Sequence, residues 1–540
     1  MDEFEPEQSQ QCDVVIIGGG VAGMTAAYEI SKLCPELSVI VLEAKNRLGG
    51  RTQTVSLQTS KGYDLWDLGG QWVGNSQTHL LRLLEDLSIG TYPQYVTGRK
   101  VAQVGSPTPF TYTSDLPSFS PWRMFRFIRT MLKLDGLSKK YSLADPFATQ
   151  GAEMYDEISV ASLIRALSAN DQQLMELQEC AIRTVFGMSM SQISALYMIV
   201  YGAGAGSIVD TIEVKGNGAQ GYRMKGGAQQ ICTKISERLL KQQRNVTILY
   251  DQPVTGIRQR HNGADDSSDF SVEIETLSNV RIRCSKVICS AAPAQVNAIT
   301  FDPLLPVRKR QLLANYPMGN LIKFVATYRT SFWRENGFSG EIIARGHTDL
   351  EADRPAPICV TYDGTTSDGN PAIVGFIHQE WSGCNLDERR EAALKDLSRY
   401  LGEKALDCID YMDKDWSFEP YTGGCPASVL PTGYAAAFVD AIRNPVGNIH
   451  WAGTETATKW PGYISGAVQS GERAAVEVVH CLRPNLVNSM QLDETIYSLN
   501  YQKPMLPKLR NSCSYSRVSV FISCTTVVIG VACMIYMYKR

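Results

Sequence analysis

Between Cys12 and Gly23 the chain runs Cys-Asp-Val-Val-Ile-Ile-Gly-Gly-Gly-Val-Ala-Gly, and no other stretch limits the fold so sharply. Val14 to Ile17 is β-branched throughout, the pattern of a parallel strand buried on both faces. Met24 to Leu33 reads as a helix and Ser38 to Glu43 as a second strand, which makes one βαβ unit. Gly18, Gly20 and Gly23 fill the glycine positions of GxGxxG. Gly18 allows the tight turn, Gly20 lets a pyrophosphate approach the backbone, and Gly23 lets the helix lie close on the strand. The helix amino end favours the phosphate charge. Glu43 follows Gly23 by twenty residues at a strand end, placed to accept hydrogen bonds from ribose hydroxyls. An acid there disfavours a 2′-phosphate, so FAD or NAD is expected over NADP. A bare glycine-rich turn would need no ligand; the flanking strand and helix and the later acid argue against that reading.

Composition narrows the class further. At 540 residues the chain exceeds one hydrophobic core. A net charge of −3 predicts no nucleic-acid partner. Fourteen cysteines include no CxxC pair, so no metal site is expected. The acidic, polar start is neither a secretory signal nor a transit peptide. Together these features suggest a reducing, cytosol-facing environment. Val518 to Tyr538 is a run of 21 uncharged residues between Arg517 and Lys539-Arg540. As a helix it would reach about 30 Å, one hydrocarbon core. It is expected to be a transmembrane tail anchor, with residues 481–517 as its tether, rather than a buried terminal helix. Its moderate hydropathy and basic flanks suit the mitochondrial outer membrane, with the endoplasmic reticulum as the alternative.

Further along, residues 76–214 read as mainly helical. Val254 to Ser290 reads as a β-meander with a polar hairpin tip at His261–Ser268. Leu321–Tyr328 is expected as a strand, Arg389–Leu401 as a helix, Ile449–Trp451 as a strand and Gly466–Val479 as a helix. The expected class is α/β: a Rossmann-like nucleotide domain from residues 1–85, 215–300 and 405–480, and a mixed-sheet and helical substrate domain from 86–214 and 301–404.

Four residues after Glu43 comes Arg47-Leu48-Gly49-Gly50-Arg51-Thr52, whose arginines can reach back to a pyrophosphate. Asp67 to Gly74, with Gly69 and Gly70, is a second glycine-broken segment. Later come Asn217-Gly218-Ala219-Gln220 with Gly226-Gly227, Pro317 to Lys323, Trp416 to Cys425, and Gly453 to Tyr463. In order and spacing this set resembles the flavin-containing monoamine oxidases of the amine oxidase family. The resemblance implies FAD-dependent oxidative deamination of primary or secondary amines. The flavin would accept a hydride equivalent, the imine would give aldehyde and ammonia, and O2 would become H2O2.

It also implies roles for particular residues. Cys425 would bond to the flavin 8α-methyl group; a small core cysteine is the structural alternative. Lys323, in the apolar run Leu321–Val325, would hold a water near flavin N5. Otherwise it belongs on an exposed edge strand, because burying an ammonium is costly. Trp416 would pack beside the isoalloxazine ring. Gly69, Gly70, Val254, Gly453, Thr454 and Glu455 would contact the cofactor, and Gln220 would line the substrate cavity. Tyr463 matches one of two tyrosines that sandwich the amine with their faces. Pro426 replaces the other and has no π face, which makes Trp72 the candidate second wall. Dimerisation on the membrane is a further implication. A polyamine oxidase of the same fold is the alternative function, though no acidic cluster is visible beside the substrate motifs. A membrane-tethered flavin-binding protein with impaired catalysis is another, motivated by Pro426.

Overall fold

A computed structural model describes residues 10–498, apart from 118, 144, 214–217, 243–244, 261–270, 346–353 and 436–440. The hairpin tip at His261–Ser268, Asn217, the tether beyond residue 498 and the run Val518–Tyr538 lie outside the described residues. Among the described residues no helix is long and apolar enough to cross a membrane.

The amino-terminal strand β1 (Gln10–Ile17) pairs in parallel with β2 (Val39–Leu42) on one side and Arg281–Cys289 on the other. The β-branched run explains the choice, because alternate residues serve different cores. Val14 and Ile16 join Met24 and Ile30 of the helix α1 (Val21–Leu33), whereas Val15 and Ile17 join Ile257, Val287 and Trp451. The eight-stranded sheet runs Val246–Leu249, β2, β1, Arg281–Cys289, Val272–Thr276, Val254–Gln259, Thr300–Asp302, with Ile449–Trp451 also beside Arg281–Cys289. The meander is therefore present as read. The helix Ile464–Leu482 packs on α1 so closely that a Cβ on Gly471 would overlap Ala22 O.

A second sheet has seven strands, in the order Asp410–Asp415, Ile322–Thr327, Ala372–Ile377, Ile358–Asp363, Phe338–Ala344, Arg99–Gln103, Phe110–Tyr112. Every residue of Ile322–Thr327 is buried, with a strand on each side. Lys323 is thus not on an edge. Four helices, Pro121–Ser138, Val160–Leu167, Gln172–Phe186 and Ala195–Ala205, share one core through Leu134, Ile164, Phe186 and Ile199. Ser159, Asp171 and Ser194 cap three of them by accepting from Ser162, Leu174 and Tyr197 N–H.

Two expectations change. Residues 99–103 and 110–112, read within a helical region, are strands that extend the second sheet. Such short runs are decided by the strand they meet rather than by local propensity. The helix expected from Arg389 begins at Leu386, because Asn385 and Glu388 form a reciprocal capping box.

Candidate active site

A cavity of about 510 Å³ is lined by residues of both sheets. That size is ordinary for a small-molecule or cofactor site. One end is a glycine cradle. Gly18, with φ at 100°, and Gly20 both line it. A Cβ on Gly20 would meet nothing nearer than Gly50 Cα at 3.9 Å, so the backbone there is open to a close-lying ligand. Gly49, Gly50, Arg51, Thr52, Gly69, Gly70 and Val254 line the same cavity. Glu43 also faces it; its Oε2 accepts from Gly19 N–H at 2.7 Å and its Oε1 from Lys45 N–H at 2.9 Å. Burial pushes this carboxyl up. Each oxygen keeps a lone pair for a ribose hydroxyl, so these residues fit a dinucleotide.

Three residues expected at the cofactor do not line the cavity. Gly23 is a packing residue: a Cβ there would overlap Gly18 O. Arg47 donates to Glu419 Oε1 at 2.7 Å and to Gly50 O at 3.2 Å, so it folds its own loop rather than facing the cavity. Lys45 and Lys414 converge on the same acid at 2.7 and 2.5 Å. Burial would raise Glu419, but the three cations outweigh it and bring it down to about 2. Glu455 is the third. It is buried and grips Arg51 through two contacts of 2.6 and 3.0 Å. Burial raises this carboxyl too, and Arg51 overcomes the effect, leaving it below the usual range. Arg51 also donates to Pro426 O at 2.9 Å, tying the nucleotide loop to the segment after Cys425.

The other end is built from side chains. Cys425 and Pro426 line it. Cys425 is half-buried, its Sγ is 3.6 Å from Leu321 O, and burial pushes its thiol up to about 12. Lys323 is 2% exposed and donates to Gly69 O at 2.8 Å and Gln71 Oε1 at 2.7 Å. Burial lowers its ammonium to about 7, with Asp67 opposing the shift and Arg223 adding to it. Trp416, fully buried, donates to Leu68 O at 2.9 Å and also lines the cavity.

Trp72 and Tyr463, both expected, line this end. Trp72 donates to Gln94 Oε1 at 3.0 Å and lies 6.2 Å from the ring of Phe376. Tyr463 donates to Thr211 O at 2.7 Å and lies 5.9 Å from the ring of Tyr201. Thr454 holds the backbone beneath it, donating to Tyr463 O at 2.8 Å, and Gly453 lines the wall beside it. Gln220, largely buried, meets the Tyr362 hydroxyl. Phe376 and Tyr201 line the cavity but were not foreseen. Their segments, Ala372–Ile377 and Ala195–Ala205, are apolar almost throughout, so no alternation marks the residue that faces a ligand.

The family model described as "Flavin containing amine oxidoreductase" matches residues 21–479. Horse "Amine oxidase [flavin-containing] A" is 32% identical over 477 residues, covering 87% of this chain and 85% of that protein. A "Probable flavin-containing monoamine oxidase A" from Dictyostelium discoideum is 32% identical, covering 88% and 98%. Among solved structures, putrescine oxidase bound to putrescine superposes with a TM-score of 0.77 at 27% identity, covering 87% and 99%. Cyclohexylamine oxidase from Brevibacterium oxydans does so with a TM-score of 0.77 at 28% identity, over the same shares. With the glycine cradle and the aromatic end on one cavity, this chain belongs to the flavin-containing amine oxidoreductase family and is an FAD-dependent amine oxidase.

Proposed function

We propose that this oxidase acts on amines bound among Trp72, Phe376, Tyr201 and Tyr463, with FAD attached covalently through Cys425. The observation that supports the reading is that Cys425 and Lys323 share one cavity with these rings and with the glycine cradle. When bound, FAD supplies the hydride acceptor for the carbon next to the amine nitrogen and passes the electrons to O2 as H2O2.

The protein's own part is positioning and electrostatics. Gly18, Gly20 and Gly50 admit the diphosphate, Glu43 accepts from the ribose, and Arg51 fixes the loop between cofactor and substrate. The ring faces attract an ammonium as it enters. The apolar wall then favours the neutral amine, the form that can release a hydride, because desolvation penalises the charge. Lys323 holds a proton on Nζ between Gly69 O and Gln71 Oε1, where it offsets negative charge developing on reduced oxygen. Pro426 supplies no ring; Trp72 and Phe376 provide that wall instead. The uncharged run Val518–Tyr538 anchors the enzyme in a membrane, the mitochondrial outer membrane on the strength of its basic flanks.

The test is acid precipitation of purified protein with a parallel assay of amine-dependent peroxide. Yellow colour in the pellet, lost in Cys425→Ala, together with peroxide, is the expected result. Colour released to the supernatant from wild type would sink the covalent link. Covalent flavin that yields no peroxide from any amine would sink the catalytic reading. For the anchor, deletion after residue 517 should release the enzyme from mitochondrial membranes.

A further inference from the structure

The helix Ile464–Leu482 ends in a cluster that the amine site does not use. Arg473, Glu477 and Cys481 follow one another at four-residue spacing on it, so they share one face. That face meets His450 of the strand Ile449–Trp451. His450 Nδ1 lies 3.2 Å from Glu477 Oε2, and Glu477 Oε1 accepts from Arg473 at 2.8 Å. All three of these residues are buried. The imidazole also meets the Cys481 thiol. The order is therefore sulfur, base, and an acid that orients the base. Cys481 Sγ lies 3.2 Å from the hydroxyl of Tyr497, whose ring packs on that of His480 at 5.2 Å. Among the described cysteines Cys481 alone is exposed. Burial pushes the thiols of Cys180, Cys284 and Cys359 up. Burial would raise Cys481 as well, but His450, the Tyr497 hydroxyl and Lys286 outweigh it and hold this thiol below its ordinary value. Burial would lower His450, but Cys481 and Glu477 outweigh it and hold the imidazole above its usual value.

We propose that Cys481 is a peroxide-reactive thiol, activated by the His450–Glu477 pair, which the enzyme's own H2O2 converts to a sulfenic acid. The thiolate sulfur attacks one peroxide oxygen. An S–O bond forms as the O–O bond breaks; sulfur is oxidised by two electrons and peroxide is reduced by the same two. The departing hydroxide takes a proton from His450, so the products are Cys-SOH, water and neutral imidazole. Each neighbour has a part. Glu477, fixed by Arg473, occupies His450 Nδ1, which leaves the other ring nitrogen for the sulfur. The Tyr497 hydroxyl donates to the thiolate. The carboxyl end of a helix disfavours an anion, so the thiolate owes its stability to these side chains rather than to the backbone. Arg473 also donates to Trp451 O at 2.7 Å and to Thr456 Oγ1 at 2.9 Å. The buried network behind the thiol thus holds the chain on both sides of Gly453, at the wall of the large cavity.

The test treats flavin-loaded full-length enzyme with reagent H2O2, traps sulfenic acid with dimedone, and reads each cysteine by peptide mass spectrometry. Cys481 should be labelled about tenfold faster than Cys384 or Cys408, and Cys481→Ser should remove that label. The rate at Cys481 should fall about fivefold in His450→Gln and about twofold in Tyr497→Phe. Because His450 is buried and its variant could fail to fold, alkylation of wild type by iodoacetamide is followed against pH as well. The rate at Cys481 should reach half its maximum at a lower pH than the rate at Cys384. Turnover of an amine should produce the same label without added peroxide, and catalase should suppress it. Labelling of Cys481 no faster than of Cys384 would overturn the inference. So would an alkylation midpoint at or above that of Cys384, or a folded His450→Gln protein that is labelled at the wild-type rate.

Discussion

The two ends of the large cavity are made of different materials. At the nucleotide end the walls are mostly backbone, opened by Gly18, Gly20, Gly49 and Gly50. Glu43, the one acid facing it among the described residues, is held by two backbone N–H groups. At the amine end the walls are side chains from four separate parts of the chain: Trp72, Tyr201, Phe376 and Tyr463. Backbone walls fix a geometry common to one cofactor and leave little to vary. Side-chain walls leave the backbone alone and let the substrate change one residue at a time. Arg51 and Glu455 join the two ends, since the same guanidinium holds Glu455 and the Pro426 carbonyl.

The largest expected effect comes from cutting that joint. Glu455→Ala removes the partner of Arg51, and a broken buried pair costs about 3–5 kcal/mol. It should lower the denaturant midpoint and reduce both flavin content and amine turnover. A variant that lost only turnover would show that the two ends are not coupled through Arg51. Next is Gly23→Ala, whose Cβ would overlap Gly18 O. Forcing α1 away from β1 should cost about 1–3 kcal/mol and reduce bound flavin, while the protein that does load should keep its ranking of amines. A changed ranking would mean that the nucleotide end also sets specificity.

The same division governs what could be read in advance. Val14–Ile17, the glycines and Glu43 are close together in sequence, and each obeys a local rule, so the βαβ unit and the cradle were legible. Arg47 was misplaced because its partner, Glu419, is hundreds of residues away. Phe376 and Tyr201 were missed because apolar segments hide which side chain faces a cavity. The strands at 99–103 and 110–112 were missed because the first takes its identity from pairing with Phe338–Ala344 and the second from pairing with the first, and not from their own pattern. Lys323 was legible only through family resemblance; burial between two strands is what separates it from an ordinary edge lysine.

Lys323 lies at the amine end yet touches Gly69 O of the nucleotide side, and its titration offers a finer probe. Its ammonium is lowered from 10.5 to about 7 in the folded protein. The folded state therefore resists the proton that the unfolded chain accepts below pH 10.5. The lysine's contribution to stability is fully present above pH 10.5, is lost as pH falls towards about 7, and changes no further below that. Lys323→Met should flatten the change in denaturant midpoint between pH 7 and pH 10. It should also slow oxygen-dependent reoxidation more than anaerobic reduction by amine, as stopped-flow traces would show. Slowed reduction with normal reoxidation would assign the lysine to the substrate instead.

The smallest effect is expected where the family pattern is broken. Pro426→Tyr restores a ring beside Tyr463, and one added cation–π face is worth about 0.5–1 kcal/mol. That corresponds to roughly a two- to fivefold rise in kcat/KM for aryl-alkyl amines. The carbonyl that accepts from Arg51 belongs to the backbone, so flavin content should not change. If the rate does not rise, Trp72 and Phe376 already form a complete wall and proline is there because a second tyrosine is redundant. If the rate rises by orders of magnitude, those two rings are not substitutes for the missing one. The amine end of this enzyme would then be open on the side that Pro426 lines.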